Sequence, residues 1–115
     1  MLTEEEIKQK IDYEIIVDAY DDDEVSMGWY YTMHDDLEFP FEATAALKKR
    51  DGTIESKQVT ITGLDADVES FKGQDFHLEM ADGDYVKPIP YSKLSNIIAS
   101  EQTMEIFQSW DFWVK

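Results

Sequence analysis

The residues able to do chemistry in this sequence are acids, and they fall in short clusters: Asp21-Asp22-Asp23-Glu24, Asp35-Asp36 with Glu38, Asp65/Asp67/Glu69, and Asp82/Asp84. Twenty-six Asp and Glu stand against ten Lys and Arg, a formal net charge of -16, which a folded chain must hold in a small volume against its own repulsion. A bound divalent cation relieves that repulsion. No cysteine is present, so thiolate ligation and disulfides are excluded and oxygen is the abundant ligand. His34 and His77 are the only imidazoles. They form no ligand-spaced pair, which disfavours zinc, although His34 beside Asp35 could contribute a nitrogen.

Asp35, Asp36 and Glu38 follow the predicted second helix, where the helix dipole is negative and up to four backbone carbonyls lack partners. Carboxylates are electrostatically misplaced there. Beside free carbonyls they make the oxygen-rich surroundings that a hard cation needs, and Ca²⁺, with six to eight oxygens at loose geometry, fits better than Mg²⁺ with its tight octahedron. A second candidate group, Asp18, Asp21, Asp22, Asp23 and Glu24, lies between the two predicted N-terminal helices. The plain alternative for both groups is a solvated polar surface.

No EF-hand is present. That loop requires a central Gly and a Glu at position twelve; starting from Asp65, Ser70 and Phe76 occupy those places, and position twelve is Thr32 counted from Asp21 and Lys93 counted from Asp82. Asp82-Gly83-Asp84 is more simply a hairpin turn. Without a cysteine nucleophile, a Gly-rich phosphate loop or a nucleophile-elbow sequence, nothing points to an enzyme.

The elements that must position these acids can be read in order. Thr3 and Glu6 form a capping box at the start of a first helix. Ile7, Ile11, Ile15, Ile16 and Ala19 recur at near-helical spacing, which would place Glu14, Asp18, Asp21 and Asp22 on one face. Asp22 or Asp23 caps a second helix with Val25, Trp29, Met33 and Leu37 facing inward, and Pro40 ends it. Short apolar or alternating runs at 43–47, 59–62, 76–80 and 86–89 read as antiparallel strands, with Asp51-Gly52 and Asp82-Gly83 as hairpin turns. Pro90 to Leu94 resembles the single helical turn before the last strand of an SH3-like barrel. Ser100 caps a final helix through Met104, Phe107 and Trp110, whose aromatic end docks on the core or, alternatively, forms an exposed patch. The expected fold is α+β, one domain over residues 1–115: two N-terminal helices, a small antiparallel SH3-like barrel or sheet, and a C-terminal helix.

Several segments together resemble the cyanobacterial-type calcium-binding protein family: Ile15 to Tyr20, Met27-Gly28-Trp29-Tyr30-Tyr31, Phe39-Pro40-Phe41, Ile89 to Leu94, Glu101-Gln102-Thr103 and Trp110 to Val114. The resemblance covers residues 11–45 and 86–114. It implies a small α+β protein that binds calcium without EF-hands, through acidic residues, in calcium homeostasis or signalling and without catalysis. By position, Asp35 and Asp36 match the family's acidic segment.

Composition narrows the partners. With 43% hydrophobic and 13% aromatic residues, the chain is too rich in core-forming residues to be a disordered acidic polymer. A sequence pI near 4.2 disfavours nucleic acid, whose binding rests on Lys and Arg, and anionic membranes likewise. The N-terminus lacks the basic and apolar regions of a secretory signal, which makes the cytoplasm the default location; a monomer is the expected state. The reading is a calcium buffer or sensor; the alternative is an acidic interaction module for a basic protein partner.

Overall fold

The structure is a computed structural model that describes residues 2–65, 71 and 75–114. Asp67 and Glu69 of the third acid cluster lie outside the described residues.

The first helix, α1 (Glu4–Lys10), begins on the expected capping box: Glu6 N donates to Thr3 Oγ1 and Thr3 N donates to Glu6 Oε1, both at 3.2 Å. It widens into a π turn over Ile11–Ile15 and stops there. Ile7, Ile11 and Ile15 are buried as the spacing predicts. The helix does not reach Ala19, so Glu14, Asp18, Asp21 and Asp22 do not share a helical face. Asp18 turns into the left-handed region at φ 60°, a conformation that Asp tolerates better than most residues, and Asp21, rather than the expected Asp22 or Asp23, caps the next helix.

That helix, α2 (Asp22–Asp36), buries Ser26, Trp29 and Met33, with Leu37 just beyond its end. Gly28 sets its approach to the π turn. A Cβ at this position would fall inside the van der Waals envelope of the Ile15 carbonyl oxygen and 3.3 Å from the carbonyl carbon, so only glycine lets the two backbones come this close.

After Pro40, joined to Phe39 by a cis peptide, the chain forms β1 (Phe41–Lys48), β2 (Ile54–Leu64), β3 (His77–Asp82) and β4 (Tyr85–Pro90). A 3₁₀ turn over Tyr91–Lys93, β5 (Leu94–Ile98) and α3 (Glu101–Trp113) complete it. The glycines of the two Asp-Gly turns have φ of 90° and 62°, as tight hairpins require. The strands pair antiparallel in the order β4-β3-β2-β1-β5. The α+β class and the helical turn before the last strand are as expected. The barrel is not closed among the described residues, because β4 and β5 are the two edges of an open sheet.

Alternation decides which face of the sheet is covered. Phe41, Ala43 and Ala45 of β1 are buried, facing Ile61, Val59 and Lys57 of β2 in register, since successive strand residues point to opposite faces. Leu78 and Met80 of β3 and Ile89 of β4 extend the apolar face. Upon it sit the isoleucines of α1 and the π turn, Trp29 and Met33 of α2, and Ile106, Phe107 and Trp110 of α3, in one hydrophobic cluster. Trp29 and Trp110 meet edge to face with ring centroids 5.0 Å apart, and Trp110 also meets Phe71 and Phe76. Phe107 and Trp110 are thus core. Phe112 is half-buried and Trp113 is exposed.

Two further contacts fix α3. Gln108 accepts from Leu2 N at 3.1 Å and donates to Leu2 O at 2.9 Å, and Tyr91 donates its hydroxyl to Asp111 Oδ1 at 2.9 Å. Burial pushes the Asp111 carboxyl above the ordinary carboxylate range, against the lowering effect of that hydrogen bond. The Tyr91 hydroxyl is raised as well, by burial first and by the Asp111 charge second.

Two expectations follow. Gly28→Ala, a change that normally favours a helix by roughly 0.5–1 kcal/mol, should here destabilise by about 1–3 kcal/mol through backbone overlap, read as a lower denaturant midpoint. A carboxyl whose folded pKa is raised adds stability below its unfolded pKa, of about 3.9, and loses it as pH rises through the folded value. Asp111→Asn, whose amide oxygen can still accept from Tyr91, should therefore melt higher than the parent chain at pH 7, with the difference shrinking as pH falls through the raised folded value and gone below about 4.

Candidate metal centre

The acids at the end of α2 are exposed or half-buried, and each is handled differently. Asp35 Oδ1 lies 3.2 Å from His34 Nδ1, with both side chains largely in solvent. The Asp36 backbone carbonyl, one of the acceptors a helix C-terminus leaves open, takes a hydrogen bond from Gln102 Nε2 at 2.7 Å. Glu38 is drawn onto the start of α3. Its N–H donates to Thr103 Oγ1 at 3.0 Å, and its Oε1 accepts from the Ser100 hydroxyl at 2.6 Å.

Ser100 is the N-cap of α3, its hydroxyl accepting from Thr103 N at 3.2 Å. The Glu38 carboxylate therefore sits at the positive end of α3, although it follows the negative end of α2. A negative charge at a helix N-terminus is favourable by typically ~0.3–1 kcal/mol. The misplacement expected of Glu38 is relieved by this junction, and one expected free carbonyl, that of Asp36, is already used. Asp35 and Asp36 remain at an unfavourable dipole end.

The second group occupies the other end of α2. Asp21 is the N-cap and accepts from Glu24 N at 2.8 Å, while Glu24 Oε2 accepts from Tyr20 N at 2.9 Å. Asp22 and Asp23 fill the first turn, where the dipole favours them. Asp18 stands in the preceding turn, exposed. The length of a 15-residue helix, on the order of 20 Å, separates the two groups, so they cannot share an ion.

Carboxylates with at least one uncommitted oxygen suit a hard cation chemically. Among the described residues no three Asp, Glu or His side chains are gathered into a ready coordination group. Asp35, Asp36 and Glu38 would have to converge, and Glu38 already has Oε1 held by Ser100 with Oε2 left to offer. Sequence reasoning missed Ser100, Gln102 and Thr103 as neighbours of these acids. Ser100 was legible as a cap; its tie to Glu38 spans 62 residues and leaves no local signal.

The chain is matched over residues 9–114 by a family model described as calcium binding, the CcbP family. It is similar to a protein solved as the crystal structure of Anabaena CcbP, at 38% identity and a TM-score of 0.83, over 99% of this chain and 93% of that one. It is also similar to a structure of a calcium-binding protein in its calcium-binding form, at 35% identity and a TM-score of 0.74, over 94% and 88%. None of the curated proteins matches it. With the fold shared over nearly the full length and the family model spanning all but the first eight residues and the last, this chain belongs to the CcbP family of calcium-binding proteins.

Proposed function

We propose that the protein works as one calcium-binding domain over residues 1–115, without EF-hands or catalysis, as a monomeric cytoplasmic calcium buffer or sensor. Its principal ligands in this reading are Asp35, Asp36 and Glu38, with a second, weaker group at Asp18, Asp21, Asp22, Asp23 and Glu24. The observation that carries it is the family match over residues 9–114, supported by likeness to a structure in its calcium-binding form. A single buried cluster that joins all three helices to the sheet supports one domain.

The α2–α3 junction explains how the first group would work. Gln102 and Thr103 hold the backbone at Asp36 and Glu38, so the chain after α2 is positioned before any ion arrives. Ser100 holds one Glu38 oxygen and leaves the other. Asp35 and Asp36 sit where their charges are repelled by the end of their own helix. Calcium, when bound, supplies two positive charges at that end. In the second group Asp21 and Glu24 are committed to capping, and recruiting them would cost part of that cap, ~1 kcal/mol for an N-cap. This cost is why the second group ranks lower.

Because acids must be gathered, affinity should be modest, on the order of 10⁻⁶ to 10⁻³ M. The test is a calorimetric Ca²⁺ titration at physiological ionic strength with excess Mg²⁺, repeated on Asp35→Asn with Asp36→Asn. The double variant should bind at least tenfold more weakly, and its calcium-free form should melt slightly higher, because two charges have left a helix C-terminus. Unchanged affinity would remove these residues from the site. If the acid surface instead serves a basic protein partner, binding of that partner should fall steeply with salt, whereas coordination should outlast the screening.

A further inference from the structure

A cleft of about 280 Å³ opens between α3 and the segment carrying the 3₁₀ turn and β5. Asp111, which borders it, lies eleven residues beyond Ser100, roughly 16 Å along the helix axis at 1.5 Å per residue, well apart from the α2–α3 junction. The cleft is lined by Ile97, Met104 and Phe107, by the Tyr91 ring, and by the polar groups of Asn96 and Asp111. Tyr91 is already donating its hydroxyl proton to Asp111 Oδ1. What the pair can still offer a ligand is therefore acceptors, the phenolic oxygen and the second carboxylate oxygen.

We propose that this cleft binds an aliphatic primary ammonium group, with Asp111 as its counter-ion and the alkyl stem against Ile97, Met104 and Phe107. An ammonium has three donors and no acceptor, which complements the pair. A guanidinium fits less well. Its bidentate fork would have to share Oδ1 with the Tyr91 hydroxyl. A hard divalent ion is disfavoured, because the lining holds one carboxylate, with Ser95, Asn96 and Gln108 as the other polar side chains besides Tyr91, and calcium takes six to eight oxygens, usually with several carboxylates. An anion is repelled by the net charge of -16. Asp111 borders the cleft as an exposed residue, and partial burial still raises its carboxyl above the ordinary range despite the Tyr91 hydrogen bond, so a cation in the cleft would compensate its charge. The volume lies just under the usual range for drug-sized ligands, ~300–1,000 Å³, and suits a stem of a few carbons.

The experiment is an NMR-monitored titration of the full chain in a calcium chelator with n-pentylamine at pH 7, set beside 1-pentanol and tetramethylammonium. Saturable shifts of the Asn96 and Gln108 side-chain amides are expected with n-pentylamine, and at least tenfold weaker binding of both comparison probes. Asp111→Asn, which can keep the hydrogen bond from Tyr91, should weaken n-pentylamine at least tenfold, whereas Asp84→Asn in the exposed β3–β4 turn should change it less than twofold. Equal loss in the two variants, equal binding of tetramethylammonium, or no saturation would overturn the proposal, leaving only diffuse attraction to an acidic surface. A further arm uses the N-acetyl methylamide of lysine. Binding within threefold of n-pentylamine assigns the cleft to a lysine side chain of a partner, and exclusion of the capped lysine assigns it to a free amine; both support an ammonium site.

Discussion

The contact on which the rest of the arrangement depends is that of Trp29 with Trp110. Two fully buried indoles meeting edge to face hold α2 against α3, and aromatic pairs of this kind contribute roughly 0.5–1.5 kcal/mol beyond the area they bury. The pairing also fixes direction. Trp29 lies before Asp36 and Trp110 lies after Gln102, so a second tie from Gln102 to the Asp36 carbonyl makes the helices antiparallel at their point of contact. An antiparallel pair sets the negative end of one helix beside the positive end of the other. That is why Glu38, leaving the wrong end of α2, finds the right end of α3.

The fold distributes its acids by the same rule. Glu4, Glu5 and Glu6 occupy the first turn of α1, Asp22, Asp23 and Glu24 that of α2, and Glu101 that of α3, each where the dipole welcomes negative charge. Seven of the 26 acids are thus placed at helix starts. Asp35 and Asp36 stand outside the rule, at a helix C-terminus, with the His34 ring close to Asp35. Their electrostatics give a reason they would welcome a cation.

Much of this architecture was legible because its causes are local. A Thr and a Glu three residues apart, a Ser before an amphipathic run, and Asp-Gly between alternating segments each act through neighbouring backbone, and each appears where the sequence puts it. The buried stripe of Trp29, Met33 and Leu37 was readable from spacing alone. What could not be read is tertiary. Gly28 of another helix packs against the π turn where the first helical segment ends, and nothing in residues 16–19 signals that the helix stops. Closure of a sheet depends on strand curvature, which short apolar runs do not encode. In the candidate metal centre the acids were legible by type, but their partners on α3 are 62 to 66 residues away, beyond any spacing argument.

The π turn after α1 bears on how a four-residue repeat stays buried. In an α-helix each step of four residues over-rotates by about 40°, so a strict repeat of isoleucines would spiral away from the sheet. A wider turn, closed by hydrogen bonds to the fifth residue, rotates less per residue and turns the stripe back. The step from Ile7 to Ile11 drifts one way and the step from Ile11 to Ile15 drifts the other. Ile7 and Ile15 thereby point in nearly the same direction from opposite ends of the segment, and a helix too short to coil around a partner keeps a straight apolar edge.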